Sequence, residues 1–150
     1  MVYLASDHAG FELKEEIKQY LLGLGMEVED MGAFEINPDD DYPDFVRPVA
    51  QKVALRQAQG ESNAYGIVLG GSGQGEAIAA NKVQGIRTAV YYGGSLDIVK
   101  LSRAHNDANI LSLGARFLTA EQAKEAVRLW IETPFEGGRH ERRIRKIESV

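Results

Sequence analysis

Residues 64–82 read Ala64-Tyr65-Gly66-Ile67-Val68-Leu69-Gly70-Gly71-Ser72-Gly73-Gln74-Gly75-Glu76-Ala77-Ile78-Ala79-Ala80-Asn81-Lys82. An apolar run, Ala64 to Leu69, meets a glycine-rich turn, and a helix-like stretch follows from Ala77 to Val83. Strand, turn and helix in that order form the repeating unit of a parallel α/β sheet. A turn of this kind aims backbone N–H groups at one point, at the positive end of the helix dipole. That point attracts an anion. Ser72 adds a hydroxyl there and Glu76 a carboxylate. An anion hole with a base beside it suits catalysis. The plain alternative is a turn whose glycines serve packing.

The same alternation extends to both ends of the chain. Strands are expected at Val2 to Ala5, Met26 to Met31, Ile86 to Tyr92 and Asn109 to Leu113. Helices are expected over Phe11 to Leu22, after Pro43 with Phe45, Val49 and Val53 on one face, and from a Ser95 cap to Ala104. Thr119 and Gln122 form a T-x-x-Q capping box before a helix carrying Ala123, Val127, Trp130 and Ile131. A basic helix, Arg139 to Ile147, comes last. Residues 32–41, with three successive Asp, read as a solvated acidic loop, and 57–63 as a polar loop. No repeat or linker divides the chain, so residues 1–150 are expected to form one domain.

Parallel strands joined by right-handed crossovers place a ligand at the carboxyl ends of the strands. Four loops lie there: Asp7-His8, the glycine turn, Tyr92-Gly93-Gly94 and Gly114-Ala115-Arg116. The turn is no Walker A loop, since no Gly-Lys-Ser/Thr follows, and it lacks the G-x-G-x-x-G spacing of dinucleotide folds. Asp7-His8 reads as a turn and cap or as a catalytic pair. His105-Asn106 reads as a surface pair or as a site element. Arg139 and Arg143 share a helix face that fits a phosphate, or that simply complements the helix dipole.

Composition narrows the chemistry. The chain has no cysteine, which removes disulfides, thiolate metal sites and thiol nucleophiles. With 44% hydrophobic and 26% charged residues it resembles an ordinary globular domain. A net charge of −5 argues against nucleic-acid binding, and no run approaches a membrane span. The opening MVYLASDHAG carries too short an apolar run for a secretory signal, so a cytoplasmic location is expected.

The motifs SDHAGFELK (6–14), DYP (41–43), GGSGQGEAIAANKVQGIR (70–87), SRAHNDANILSLGAR (102–116) and EGGRHERRI (136–144) occur in order along nearly the whole chain. Together they resemble the ribose-5-phosphate isomerase B family of sugar-phosphate isomerases. The resemblance implies a Rossmann-like, three-layer α/β/α fold with a five-stranded parallel sheet. It implies a metal-free, cofactor-free interconversion of ribose 5-phosphate and ribulose 5-phosphate, in the pentose phosphate pathway. A six-carbon sugar phosphate such as allose or galactose 6-phosphate is the nearest alternative substrate. A non-catalytic sugar-phosphate-binding domain is the alternative of another class.

Many members of that family carry a Cys base just before the glycine turn, where this chain has Gly70. Another branch uses a Glu just after it, and Glu76 stands there. The resemblance thus implies Glu76 as the base that moves the proton, with His105, Asp7 and Ser72 opening the sugar ring. It implies Gly71, Gly73, Gly75 and Asn106 around the enediolate, His8, Arg116, Arg139 and Arg143 around the phosphate, and Tyr42 along the sugar. In the galactose-6-phosphate isomerase relatives these motifs are divided between two subunits. This chain has both sets, which implies a homodimer, or a dimer of dimers, with composite sites.

Overall fold

The computed structural model describes residues 1–149. Five strands alternate with helices: β1 (Val2–Ser6), α1 (Phe11–Gly23), β2 (Val28–Asp30), α2 (Tyr42–Ala58), β3 (Tyr65–Gly70), α3 (Gln74–Ala80), β4 (Thr88–Tyr91), α4 (Leu96–Ala104), β5 (Ile110–Gly114), α5 (Ala120–Glu132) and α6 (Arg139–Glu148). Short 3-10 turns, His8–Gly10 and Ala115–Phe117, follow β1 and β5. The sheet order is β2-β1-β3-β5-β4, and every pairing is parallel.

The three central strands are apolar on both faces, as a sheet covered by helices on each side requires. On one face Val2, Leu4, Ile67, Leu69, Leu111 and Leu113 pack with Ile17 and Leu21 of α1, Val99 of α4, and Val127 and Trp130 of α5. On the other, Tyr3, Ala5, Val68 and Ile110 pack with Val46, Val49, Ala50 and Val53 of α2 and Ala80 of α3. Each wholly buried Leu or Ile contributes about 1.5–3 kcal/mol of apolar transfer. The expected three layers and five parallel strands are therefore present.

Local signals explain the boundaries. Thr119 and Gln122 make both bonds of the capping box that starts α5. Ser95 Oγ accepts the Asp97 N–H at 3.2 Å and starts α4. Helix α2 opens at Tyr42 with Pro43 in its first turn and continues to Ala58, so the expected polar loop at 57–63 begins inside a helix. Its last turn is held at the side chains: Gln57 bonds the Ala64 carbonyl and Asn109, and Arg56 bonds the Tyr3 hydroxyl.

Lys14 of α1 is wholly buried. Its ammonium meets Asp30 at 2.7 Å and Glu15 at 2.9 Å, which fastens α1 to the end of β2. Burial alone would push the Asp30 carboxyl up. Hydrogen bonds from Lys14, Lys18 and the Gly32 N–H overcome that and hold it below the usual range.

The strand ends set the site. Ser6 is in register with Leu69, and Gly70 with Gly114. Asp7, the glycine turn and Arg116 thus leave the sheet side by side, at its carboxyl edge.

Candidate active site

The turn between β3 and α3 carries its glycines for two separate reasons. Gly73 caps α3 at φ +77°, a left-handed conformation that favours glycine. Gly70 is needed for space. A Cβ built there would lie on the Glu76 carboxylate, which fills the volume above the Gly70 backbone. Glu76 sits in the first turn of α3 and is only 4% exposed. Burial pushes its carboxyl up; a hydrogen bond from its own backbone N–H opposes this, and the charge of Asp7 adds to it.

Asp7 is also buried. Its Oδ1 accepts the N–H groups of Ala9 at 2.9 Å and Gly10 at 3.1 Å, so it caps the turn and faces the cleft at once. His8 follows. Its ring Nδ1 lies 2.6 Å from Asp40 Oδ1. That bond keeps its proton above the ordinary histidine range, with Asp7 in support and with burial and Arg116 opposed. The Asp40 side chain is 7% exposed, so the acidic run 39–41 is not simply solvated, as the sequence suggested. Tyr42 lays its ring against Gly75, where a side chain would collide with it. The Arg116 N–H donates to the Gly71 carbonyl at 3.1 Å, and its guanidinium lies close over Gly71. Ser72 is exposed, and its Oγ accepts the Gln74 N–H at 3.3 Å.

These residues surround a cleft of about 370 Å³ lined by Asp7, His8, Ala9, Tyr42, Gly71, Ser72, Gly75, Glu76, Arg116 and Phe117. Eight of the expected site residues are among them. Gly73 is not: it is buried against β5, and its carbonyl accepts the Ser112 hydroxyl at 2.7 Å. The Tyr92-Gly93-Gly94 loop does not line the cleft either; Tyr92 packs edge-on against Phe117.

His105, Asn106, Arg139 and Arg143 are not brought to this cleft. A crossover helix begins at the carboxyl edge of a parallel sheet and ends at the opposite edge. His105 caps the far end of α4, and Glu136, which leads into α6, bonds the Ala104 carbonyl there. At that edge the His105 and His140 rings stack, 4.1 Å apart and 9° from parallel. Glu136 lies 3.6 and 3.7 Å from their Nε2 atoms. Burial pushes the His140 imidazole down, and His105, Arg139 and Arg143 add to that. In the sequence His140 stands only within a motif and Asp40 only within an acidic loop, and burial beside charged neighbours marks both once the fold is known; Phe117 carries no signal in the sequence and is marked by the cleft wall.

Among the described residues, two groups bring three ligand-type atoms within 4.8 Å of one another: Asp7, His8 and Asp40, and His105, Glu136 and His140. In the first, the imidazole Nδ1 is already bonded to Asp40. In the second, Arg139 and Arg143 add positive charge that opposes a dication and favours an anion. Among the described residues, no helix is long and apolar enough to cross a membrane.

Comparison with known proteins adds the following. A family model described as Ribose/Galactose Isomerase matches residues 2–147. A ribose-5-phosphate isomerase B of Mycolicibacterium paratuberculosis is 44% identical over 144 residues, 95% of this chain and 86% of that protein. The crystal structure of a ribose 5-phosphate isomerase of Thermotoga maritima aligns with a TM-score of 0.86 at 49% identity, over 99% of this chain and 97% of that one. The structure of ribose-5-phosphate isomerase B from Mycoplasma genitalium, with bound ribulose 5-phosphate, aligns with a TM-score of 0.91 at 38% identity, over 99% and 93%.

Proposed function

Since the chain belongs to the Ribose/Galactose Isomerase family, we propose that it interconverts ribose 5-phosphate and ribulose 5-phosphate through a cis-enediolate, with Glu76 as the base. The observation that carries the base assignment is the buried carboxylate lodged over Gly70, at the floor of a cleft that also holds Arg116 and His8. Glu76 takes the proton from C2 of the open aldose and returns it to C1, while the proton on the C2 hydroxyl moves to the C1 oxygen. A raised carboxyl is a better base than an exposed one. The negative oxygen of the enediolate meets N–H groups of the 71–75 loop. One such donor supplies about 3–4 kcal/mol in the transition state, so the charge is met without a metal.

The phosphate is held by Arg116 and His8 of one chain. Asp7 and Ser72 of the same cleft serve ring opening, while the remaining groups, Arg139 and Arg143 for the phosphate, His105 for ring opening and Asn106 for the enediolate, require a second copy. The two residue sets stand at opposite edges of one sheet, which supports a homodimer or dimer of dimers with composite sites. Exposed Ile78, Ile98, Leu101 and Ile147 on α3, α4 and α6 flank the open edge strand β4, and an apolar surface beside an open edge suits such a contact. A cytoplasmic setting fits a sugar-phosphate substrate.

The test compares ketose formation from ribose 5-phosphate with that from allose and galactose 6-phosphates. The five-carbon substrate is expected to have the highest kcat/KM. No ketose from ribose 5-phosphate would overturn the proposal.

A further inference from the structure

The acidic run before α2 has a member that a solvated loop does not explain. Asp40 Oδ1 accepts the His8 backbone N–H at 3.2 Å and lies 2.6 Å from His8 Nδ1. Its Oδ2 is buried and has no hydrogen-bond partner among the described residues. The loop that carries it is itself tied down, since the Asp40 N–H donates to the Asn37 carbonyl at 3.1 Å. A carboxylate held against a histidine on two bonds sets the ring's plane and its protonated nitrogen.

We propose that Asp40 is a positioning residue, which keeps the proton of His8 on Nδ1 and presents Nε2 to the phosphate of the sugar. This rests on reading the cleft as a sugar-phosphate site. The neighbours of the ring fit the role. Asp40 and Asp7 favour the imidazolium, while burial and Arg116 oppose it, and the balance favours retention of the proton. A protonated His8 adds a second positive charge to the cleft beside Arg116. Asp40 itself is not among the cleft-lining residues and acts through His8.

The first measurement needs no variant. The imidazole ¹⁵N shifts of the intact protein above the titration of His8 are expected to show the Nδ1–H tautomer. An Nε2–H tautomer with a bare Nδ1 would overturn the proposal. The second uses Asp40→Asn, with folding checked by circular dichroism. At pH 7.5 its KM for ribose 5-phosphate is expected to rise about tenfold with kcat within about twofold, the size of a lost charge-assisted contact. The rise is expected to shrink below about pH 6, where a histidine is protonated without help. Asp40→Glu is expected to recover part of the loss. A folded Asp40→Asn with an unchanged KM and an unchanged His8 titration would assign Asp40 to loop anchoring alone. Inorganic phosphate serves as a second probe. If the native chain fails to turn over ribose 5-phosphate, the isomerase reading falls. Weaker phosphate binding by Asp40→Asn then still supports the Asp40–His8 link, and unchanged binding overturns it.

Discussion

Glu76 is 4% exposed, yet it must ionise to act as a base. Its folded carboxyl is pushed up, chiefly by burial, so the native state holds this proton more tightly than the unfolded chain. The resulting cost is absent below the ordinary carboxyl range and grows as pH rises through the raised value. Replacing Glu76 with Gln removes that cost. Glu76→Gln is therefore expected to melt no lower than the native protein at pH 8, while turnover falls by about 10²–10⁴. A thermal melt and a ketose assay check the two halves. Near-normal turnover would remove Glu76 from the base role. Gly70→Ala keeps the base but puts a methyl on its carboxylate. It is expected to lower kcat severely, with circular dichroism retained. The sequence reads Gly70 as the first residue of the turn, whereas it is the last residue of β3. Its contact with Glu76 was not legible either, because the two meet only after the turn has folded back.

The elements that the sequence made plain are those whose apolar spacing matches burial. Ile17 and Leu21 of α1 and Val127 and Trp130 of α5 are all wholly buried, as their spacing required. The first turn of α3 was harder to read, since Gln74, Gly75 and Glu76 look like loop residues but are helical. Asp40 was harder still. Its neighbours in sequence are exposed acids, and only the approach of the His8 turn makes it a buried partner. Lys14 is a similar case, a charge that sequence places on a helix surface and the fold places against Asp30. Asp30→Ala leaves that ammonium buried beside Glu15 alone, and is expected to cost about 3–5 kcal/mol, read from a denaturant melt. The same pair makes stability fall with acid, because Asp30 is held below the usual carboxyl range: its contribution is present above that range and is lost as pH drops through the lowered value. On α6, Arg143 is exposed, and Arg143→Ala is expected to raise KM about tenfold with kcat little changed, as loss of a ground-state phosphate contact does. An unchanged KM would return α6 to a solvated basic helix.

Across the whole molecule, one topological fact governs the site. Each helix returns the chain to the far edge of the sheet, so Glu76, in the first turn of α3, and His105, at the end of α4, stand at opposite edges of one copy. Both residues lie in motifs of the sequence, but order along the chain does not reveal which edge each one occupies; the β-α-β alternation does. A composite site predicts complementation. Glu76→Gln and His105→Ala are each expected to be nearly inactive alone. Refolded together at equal amounts, half of the dimers are mixed, and each mixed dimer has one whole site. About a quarter of native activity is then expected. No recovery would place both residues in the same copy's site, and an active His105→Ala would remove His105 from the reaction.

Descent meets the shared volume above Gly70 as a barrier. A chain of this geometry accepts a side chain at position 70 only if the Glu76 carboxylate leaves its place, because both claim one space. A lineage moving between a thiol base before the turn and a carboxylate after it would pass through a chain in which the two displace each other. The passage needs two coordinated changes, or an interval with a crippled enzyme.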